Sequence, residues 1–377
     1  MTPFRLTSIK WLHNVWLWMT VATSHLLTLS LASEPRQPAV TVEGFSVPQA
    51  GYEFVFPRDH GSHPDFKIEW WYVTGHLFAT GNQRFGFQAT FFRQASPDRQ
   101  GELHLAHMAW VDLQTGRFLH QERLNRPGWD AEARVGQLSL RNGPWSLRMT
   151  HNAPETLELS GGVRSDVHFA FQLVSQKPLV VFGENSLSRK GSDPHAASYY
   201  LTFSRLSVEG QLTIGTSAPL AVTGQAWLDH EISSSQLSQG QVGWDWVSLQ
   251  LHDEPRELML YRLRRADGSA DPASTLQWVD PQGKPQRAPF TWEVLSTWTS
   301  SETGAVYPAR VRIQTTDPAT NRPRSFTVEP LFAAQELPGE LAKISYWEGA
   351  CRVKDETGRE VGSAYMELTG YAKALEL

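Results

Sequence analysis

The chain has 377 residues, 40% of them hydrophobic and only 19% charged, which is enough apolar material for two cores, since single cores seldom grow beyond about 250 residues. Its 34 basic and 39 acidic residues leave a formal net charge of −5, a mixed balance that offers no electrostatic footprint for nucleic acid. Cys351 is the only cysteine, which excludes an intrachain disulfide, and 15 tryptophans stand ready to fill sheet cores or line apolar cavities.

At the N-terminus Arg5 and Lys10 precede a mostly apolar run from Val15 to Ala32, and Ser30 and Ala32 have the small-residue spacing of a signal-peptidase site. Residues 1–33 therefore read as an export signal, placing the protein in the periplasm or outside the cell. The alternative is membrane association through an uncleaved segment anchored in the inner membrane, because the run is nearly long enough to span a bilayer. Residues 34–44 bear prolines, lack periodicity and read as a linker.

From Tyr52 onward, short alternating segments are punctuated by turn residues. Gly75 to Phe78 and Arg84 to Arg93 flank Thr80-Gly81-Asn82; His104 to Leu113 and Arg117 to Arg123 flank Gln114-Thr115-Gly116. Gln137 to Leu140 and Trp145 to Met149 flank Arg141-Asn142-Gly143-Pro144, where Asn-Gly is a strong hairpin signal. Trp244 to Leu251 and Glu257 to Arg264 form another pair, and a further hairpin is expected about Asp355 to Gly358. Many short strands without sustained helical periodicity predict an all-β protein of sandwiches or barrels. Two domains are expected, 45–231 and 232–377.

Three clusters set charged residues beside tryptophans. The first runs from Asp59-His60-Gly61-Ser62-His63 to Glu69-Trp70-Trp71-Tyr72. The second is Trp227-Leu228-Asp229-His230-Glu231. On a strand, Trp227, Asp229 and Glu231 share one face and His230 takes the other. Two carboxylates on one face repel unless solvated, sharing a proton, or paired with a cation, and burial would make them an acid and base pair. The plain alternative is a solvent-facing strand end or a salt bridge. The third is Trp244-Asp245-Trp246, answered by Tyr261-Arg262-Leu263-Arg264; Asp245 aligns with Val247, Leu249 and Leu251, so burial and a partner in Arg262 or Arg264 are expected. No metal is expected, since the histidine spacings match no recognised ligand pattern, and no Gly-rich loop or Gly-x-Ser-x-Gly elbow implies an organic cofactor or a hydrolase. Cys351, in an extended apolar segment, reads as a small packing residue.

These clusters, with Tyr346-Trp347-Glu348-Gly349 and Glu367-Leu368-Thr369-Gly370-Tyr371, resemble the signature segments of the lipocalin-like family that includes carotenoid 1,2-hydratase (hydroxyneurosporene synthase) and AttH-like proteins. The resemblance runs from about Val55 to Ala372; Ile232 stands where the family often has tryptophan after Asp-His-Glu. It implies two lipocalin-like (calycin-type) antiparallel β-barrel domains packed together, an apolar ligand and no organic cofactor. The AttH-like branch is commonly linked with ABC-type export components, and the hydratase branch adds water to a carotenoid-type C=C bond.

The reading placed first is an exported protein binding a hydrophobic, lipid or isoprenoid-like molecule. The alternative is a hydratase, with Asp229 or Glu231 as the acid and the other carboxylate or His230 as the base. Trp70, Trp71, Tyr72, Trp227, Trp244, Asp245, Trp246, Tyr261 and Arg262 are the expected ligand contacts. A third reading, tryptophans that merely weld two barrels, predicts no cavity of roughly 300 Å³ or more.

Overall fold

The computed structural model describes residues 39–375 apart from 151, 153, 154 and 342. The expected signal segment at 1–33 and residues 34–38 of the expected linker lie outside the described residues. Alternating side chains make most of the described chain strand; the helical segments among the described residues are 3₁₀ turns at Arg58–His60 and Thr80–Asn82.

The first sheet opens with a meander of β1 (Ile68–Ala79), β2 (Gln83–Ala95), β3 (Glu102–Asp112) and β4 (Arg117–Asn125). Its first and third turns contain Gly81 at φ 72° and Gly116 at φ 71°, left-handed positions that glycine adopts without steric cost. Short hairpins follow through β5 (Ala131–Ala133), β6 (Ser139–Asn142), β7 (Trp145–Thr150), β8 (Thr156–Val163) and β9 (Val167–Ser175). Asn142 pairs with Trp145 across Gly143-Pro144, as the Asn-Gly signal predicts. Two small strands, β10 (Val180–Phe182) and β11 (Ser188–Arg189), pair with the long β12 (Ala197–Ile214), which returns as β13 (Leu220–Ser235). The order is β4-β3-β2-β1-β13-β12-β9-β8-β7-β6-β5. The sheet curls until β3 and β4 approach β6 and β8, giving a nearly closed barrel.

The second sheet begins with β14 (Gln241–Leu251), β15 (Glu257–Arg265), β16 (Thr275–Val279) and β17 (Pro285–Ala288). It continues through β18 (Phe290–Thr299), β19 (Val306–Asp317), β20 (Arg322–Pro330), β21 (Glu336–Leu337), β22 (Tyr346–Lys354) and β23 (Glu360–Thr369). Its order, β17-β16-β15-β14-β23-β22-β20-β19-β18, forms a half-barrel. The 231/232 division expected from sequence falls inside β13, and the chain changes sheet over residues 236–240. All described residues belong to one compact unit.

Strand parity sorts the side chains into three cores. Trp71, Val73, Phe87, Trp110 and Phe171 fill the first barrel, and Val247, Leu249, Trp278, Phe326 and Trp347 fill the second. Cys351 joins the second core, where burial pushes its thiol up, in keeping with a packing role. The opposite faces of the same strands meet between the sheets, where Tyr72 and Trp227 pack with Trp246 and Tyr261.

An ion cluster also locks the sheets together. Glu257 on β15, fully buried, meets Lys177 Nζ and Arg205 Nε of the first sheet's side at 2.5 Å each. Removing one partner strands buried charge. Glu257→Ala is expected to lower unfolding free energy by about 3–5 kcal/mol in urea denaturation; a loss below about 1 kcal/mol would mean that the two cations find water or other partners.

Candidate functional site

Between the outer faces of the two sheets lies a cavity of about 330 Å³. Its size excludes the reading in which tryptophans only weld the barrels. Trp70 and Tyr72 of β1, Gln88, Thr90 and Phe92 of β2, and Leu105 and His107 of β3 form one wall. Trp244 and Trp246 of β14, Tyr261 of β15, and Tyr346 and Glu348 of β22 form the facing wall. Leu103, Leu124 and Leu341, each more than two-fifths exposed, make its rim apolar.

Asp229 and Glu231 both line this cavity, as their shared parity on β13 requires. Asp229 is 3% exposed and has no cation beside it. Thr202, directly opposite on β12, donates its hydroxyl to Oδ1 at 2.6 Å; Tyr200, one pair along, donates to Oδ2 at 2.7 Å. Trp227, two residues earlier on the same face, donates its indole N–H to Oδ1 at 2.6 Å. Tyr200 is itself held by the Trp246 indole at 2.9 Å, so a hydrogen-bond chain runs from the second sheet to Asp229. Burial dominates these bonds and pushes the Asp229 carboxyl up to about 7. Glu231 differs: the Ser198 hydroxyl and the buried Lys190 ammonium, 2.7 Å away, both contact its Oε2. That ammonium also lies 4.0 Å from the Tyr261 ring centroid and 4.7 Å from that of Tyr200.

The second sheet supplies two more carboxyls that the strand-by-strand reading passed over. Glu348 on β22 and Glu367 on β23 are direct cross-strand partners, and both line the cavity. Like charges in that register repel. Burial, then the charge of Glu367, holds Glu348 well above the usual carboxylate range. Burial pushes Glu367 up to about 8 against a hydrogen bond from Trp244, with Glu231 and Asp229 adding to the rise. Among the described residues, neither Glu348 oxygen nor the Tyr72 hydroxyl beside it has a hydrogen-bond partner of good geometry. The available signal is a glutamate between uncharged same-face neighbours, in Tyr346-Glu348-Ala350 and Tyr365-Glu367-Thr369.

Several expected contacts lie elsewhere. Trp227 stands behind Asp229, packed edge-on against Trp246. Trp71 points into the first barrel and stacks on His230 with ring centroids 4.5 Å apart. His230 is therefore corrected as a candidate base: its Nε2 bonds Glu69 Oε1 at 2.9 Å on the face opposite Asp229. Asp245 faces the second barrel, bound by Arg262 at 2.6 Å, Arg264 at 3.0 Å and the Tyr371 hydroxyl at 2.8 Å. The partner expected for Asp245 is correct, but neither Asp245 nor Arg262 reaches the cavity.

His63, Glu69 and His230 present ligand-type atoms within 4.8 Å of one another. Those atoms bond each other instead. His63 Nδ1 and His230 Nε2 both lie 2.9 Å from Glu69 Oε1, while Arg93, Ser62 and the His63 amide occupy Oε2. Burial acts to raise this carboxyl, but the His230 and His63 bonds outweigh it and hold it below the usual range. With an arginine on the same carboxylate, the donor set fits a structural network better than a dication.

Residues 47–371 match the model of the AttH-like family. No curated protein matches the chain. Among solved structures, an AttH-like candidate protein from Nitrosomonas europaea is 34% identical, covers 85% of this chain and 98% of its own, and superposes with a TM-score of 0.76. Kievitone hydratase from Nectria haematococca is 12% identical over 89% of this chain and 96% of its own, TM-score 0.66. CghA bound to Sch210972 is 11% identical over 88% and 97%, TM-score 0.54. The last two share the fold.

The raised Asp229 carboxyl has a cost in stability. Unfolded, it ionises above about pH 4; folded, it keeps its proton to about 7. Across that interval the native state binds more protons, so stability falls as pH rises, by up to about 4 kcal/mol. Asp229→Asn is therefore expected to unfold at higher urea than wild type at pH 8, with the gap closing toward pH 4. A gap independent of pH would place the proton elsewhere.

Proposed function

This chain belongs to the AttH-like family, and we propose that it binds an apolar, unsaturated small molecule between its two sheets and adds water across a carbon–carbon double bond. The observation that carries the reading is Asp229: a buried carboxyl without a cation, lining an otherwise largely apolar cavity and still protonated near neutral pH.

Hydration of an isolated alkene needs a proton first. Asp229 gives its proton to one alkene carbon, the π pair forms the new C–H bond, and the other carbon becomes a carbocation. Water adds to that carbon, and the oxonium proton returns to the Asp229 carboxylate, so the cycle closes without a second base. During the charged interval Tyr200, Thr202 and Trp227 already donate to the carboxylate and need no rearrangement. Trp246 and Tyr261 line the cavity with aromatic surface, and a cation–π contact there is worth about 0.5–2 kcal/mol. The apolar rim lets the rest of a longer molecule trail out of the cavity. One structural relative is named a hydratase, which agrees with this chemistry at the level of fold.

Glu231 is set apart from Asp229 by the Lys190 ammonium 2.7 Å from its Oε2. A carrier would share the apolar cavity but would have no use for an uncompensated Asp229.

The test offers the protein a polyene ending in a trisubstituted double bond, in ¹⁸O-labelled water, and follows the product by mass spectrometry. One labelled water is expected per product molecule. Asp229→Asn should still bind the polyene but turn it over at least about 100-fold more slowly. Binding without turnover by wild type would identify a carrier, and turnover within about tenfold of wild type by the variant would remove Asp229 as the acid.

A further inference from the structure

We infer that the cavity contains a cation subsite, in which Glu348, Glu367 and the Tyr72 hydroxyl receive an amine or quaternary ammonium group carried on an otherwise apolar ligand. The inference rests on the cavity being a ligand site, and it adds the class of group that its second-sheet wall selects.

Several deeply buried carboxylates elsewhere among the described residues meet cations. Arg93 contacts Glu69, Arg262 and Arg264 contact Asp245, Lys177 and Arg205 contact Glu257, and Lys190 contacts Glu231. Glu348 breaks this pattern. It is 2% exposed, faces the cavity, sits directly across from a second carboxyl, and has the Tyr72 hydroxyl beside it but no hydrogen bond of good geometry to either oxygen among the described residues. With a neutral ligand the pair must either repel as two carboxylates or keep a proton, one shared proton being enough. One positive charge between them takes the place of that proton.

The neighbouring wall fits the same group. Trp246 is the cross-strand neighbour of Glu367 on β14, and Tyr261 is the neighbour of Trp246 on β15. Tyr261 carries the Lys190 ammonium 4.0 Å from its ring centroid, a charge paired with Glu231, so the place left for a ligand cation is on the Trp246 side, next to Glu367 and Glu348. A carbocation formed during hydration would draw on the same features, which makes a stable ammonium a mimic of it.

The titratable and charged groups lining the cavity around the subsite are Tyr72 on β1, Arg93 on β2, His107 on β3, Tyr200 on β12, Asp229 and Glu231 on β13, Tyr261 on β15 and Tyr346 on β22, with Lys190 behind Glu231. Their tyrosines are pushed further above their ordinary range by burial. Asp229 at about 7 and Glu367 at about 8 are the groups that titrate near neutrality. A cation binds the ionised forms and must expel their protons, so its affinity rises as pH rises.

The probes are decyltrimethylammonium, below its micelle-forming concentration, and decanol, with binding read from tryptophan fluorescence. At pH 9 the ammonium is expected to bind at least about tenfold more tightly than decanol, and at pH 6 this preference shrinks to about threefold or less. The Glu348→Gln/Glu367→Gln variant should keep decanol binding, which certifies its fold, and lose the preference. Should the double variant fail to bind decanol, Glu367→Gln alone serves, with the preference at least halved. Equal affinities in wild type, or a preference that survives the substitutions, would overturn the cation subsite and leave the hydratase reading standing. If neither probe binds wild type, the ligand-site reading falls and the inference with it.

Discussion

A carboxyl taken out of water is most readily held by giving up its charge or meeting a cation, and the carboxyls of the central strands among the described residues divide along that line. Glu69, Asp245 and Glu257 lie against arginine or lysine and, for Glu69, two histidines; they organise the barrel interiors and the join between the sheets. Asp229, Glu348 and Glu367 line the cavity without a cation of their own; Asp229 and Glu367 are raised into the neutral range and Glu348 well above the usual carboxylate range. The first group makes structure. The second stores protons in a place where an apolar molecule can reach them.

The fold imposes this division through strand parity. Each sheet turns one face to its own apolar core, so every charged residue of the central strands must take the other face or sit near a barrel end. The remaining faces meet one another, and the hydroxyls and indoles around Asp229 come from β12, from β13 itself and, through Tyr200, from β14. Neutral donors in fixed positions can hold either protonation state of the carboxyl. A lysine or arginine there would favour the ionised form; Lys190 stands in such a position beside Glu231, two residues along the strand.

Much of this was legible in the sequence because it depends on period and turn chemistry. Alternation placed Asp229 and Glu231 together and His230 opposite, and the apolar company of Asp245 pointed to Arg262 and Arg264 as partners. The Asn142-Gly143 pair fixed its hairpin. What alternation cannot reveal is which sheet faces become neighbours. Glu348 and Glu367 lie more than a hundred residues beyond Asp229, and only the arrival of β22 and β23 opposite β1 and β13 brings them to the same cavity. Tyr200 and Thr202 were equally hidden, since they matter through the β12–β13 register, which includes an irregularity between Phe203 and Leu206. Trp71 and His230 were grouped with the site by sequence proximity, although parity sends them to the barrel interior.

The central claim is that Asp229 carries a proton near neutral pH because burial outweighs its three hydrogen bonds. Difference infrared spectroscopy across a pH titration reads this directly, through the carbonyl stretch of a protonated carboxyl. The account predicts a band that titrates near pH 7 in wild type and is missing from Asp229→Asn, alongside one titrating near pH 8 that disappears in Glu367→Gln and a further protonated-carboxyl band that disappears in Glu348→Gln. A spectrum without any protonated carboxyl at pH 6, or one unchanged by Asp229→Asn, would contradict it.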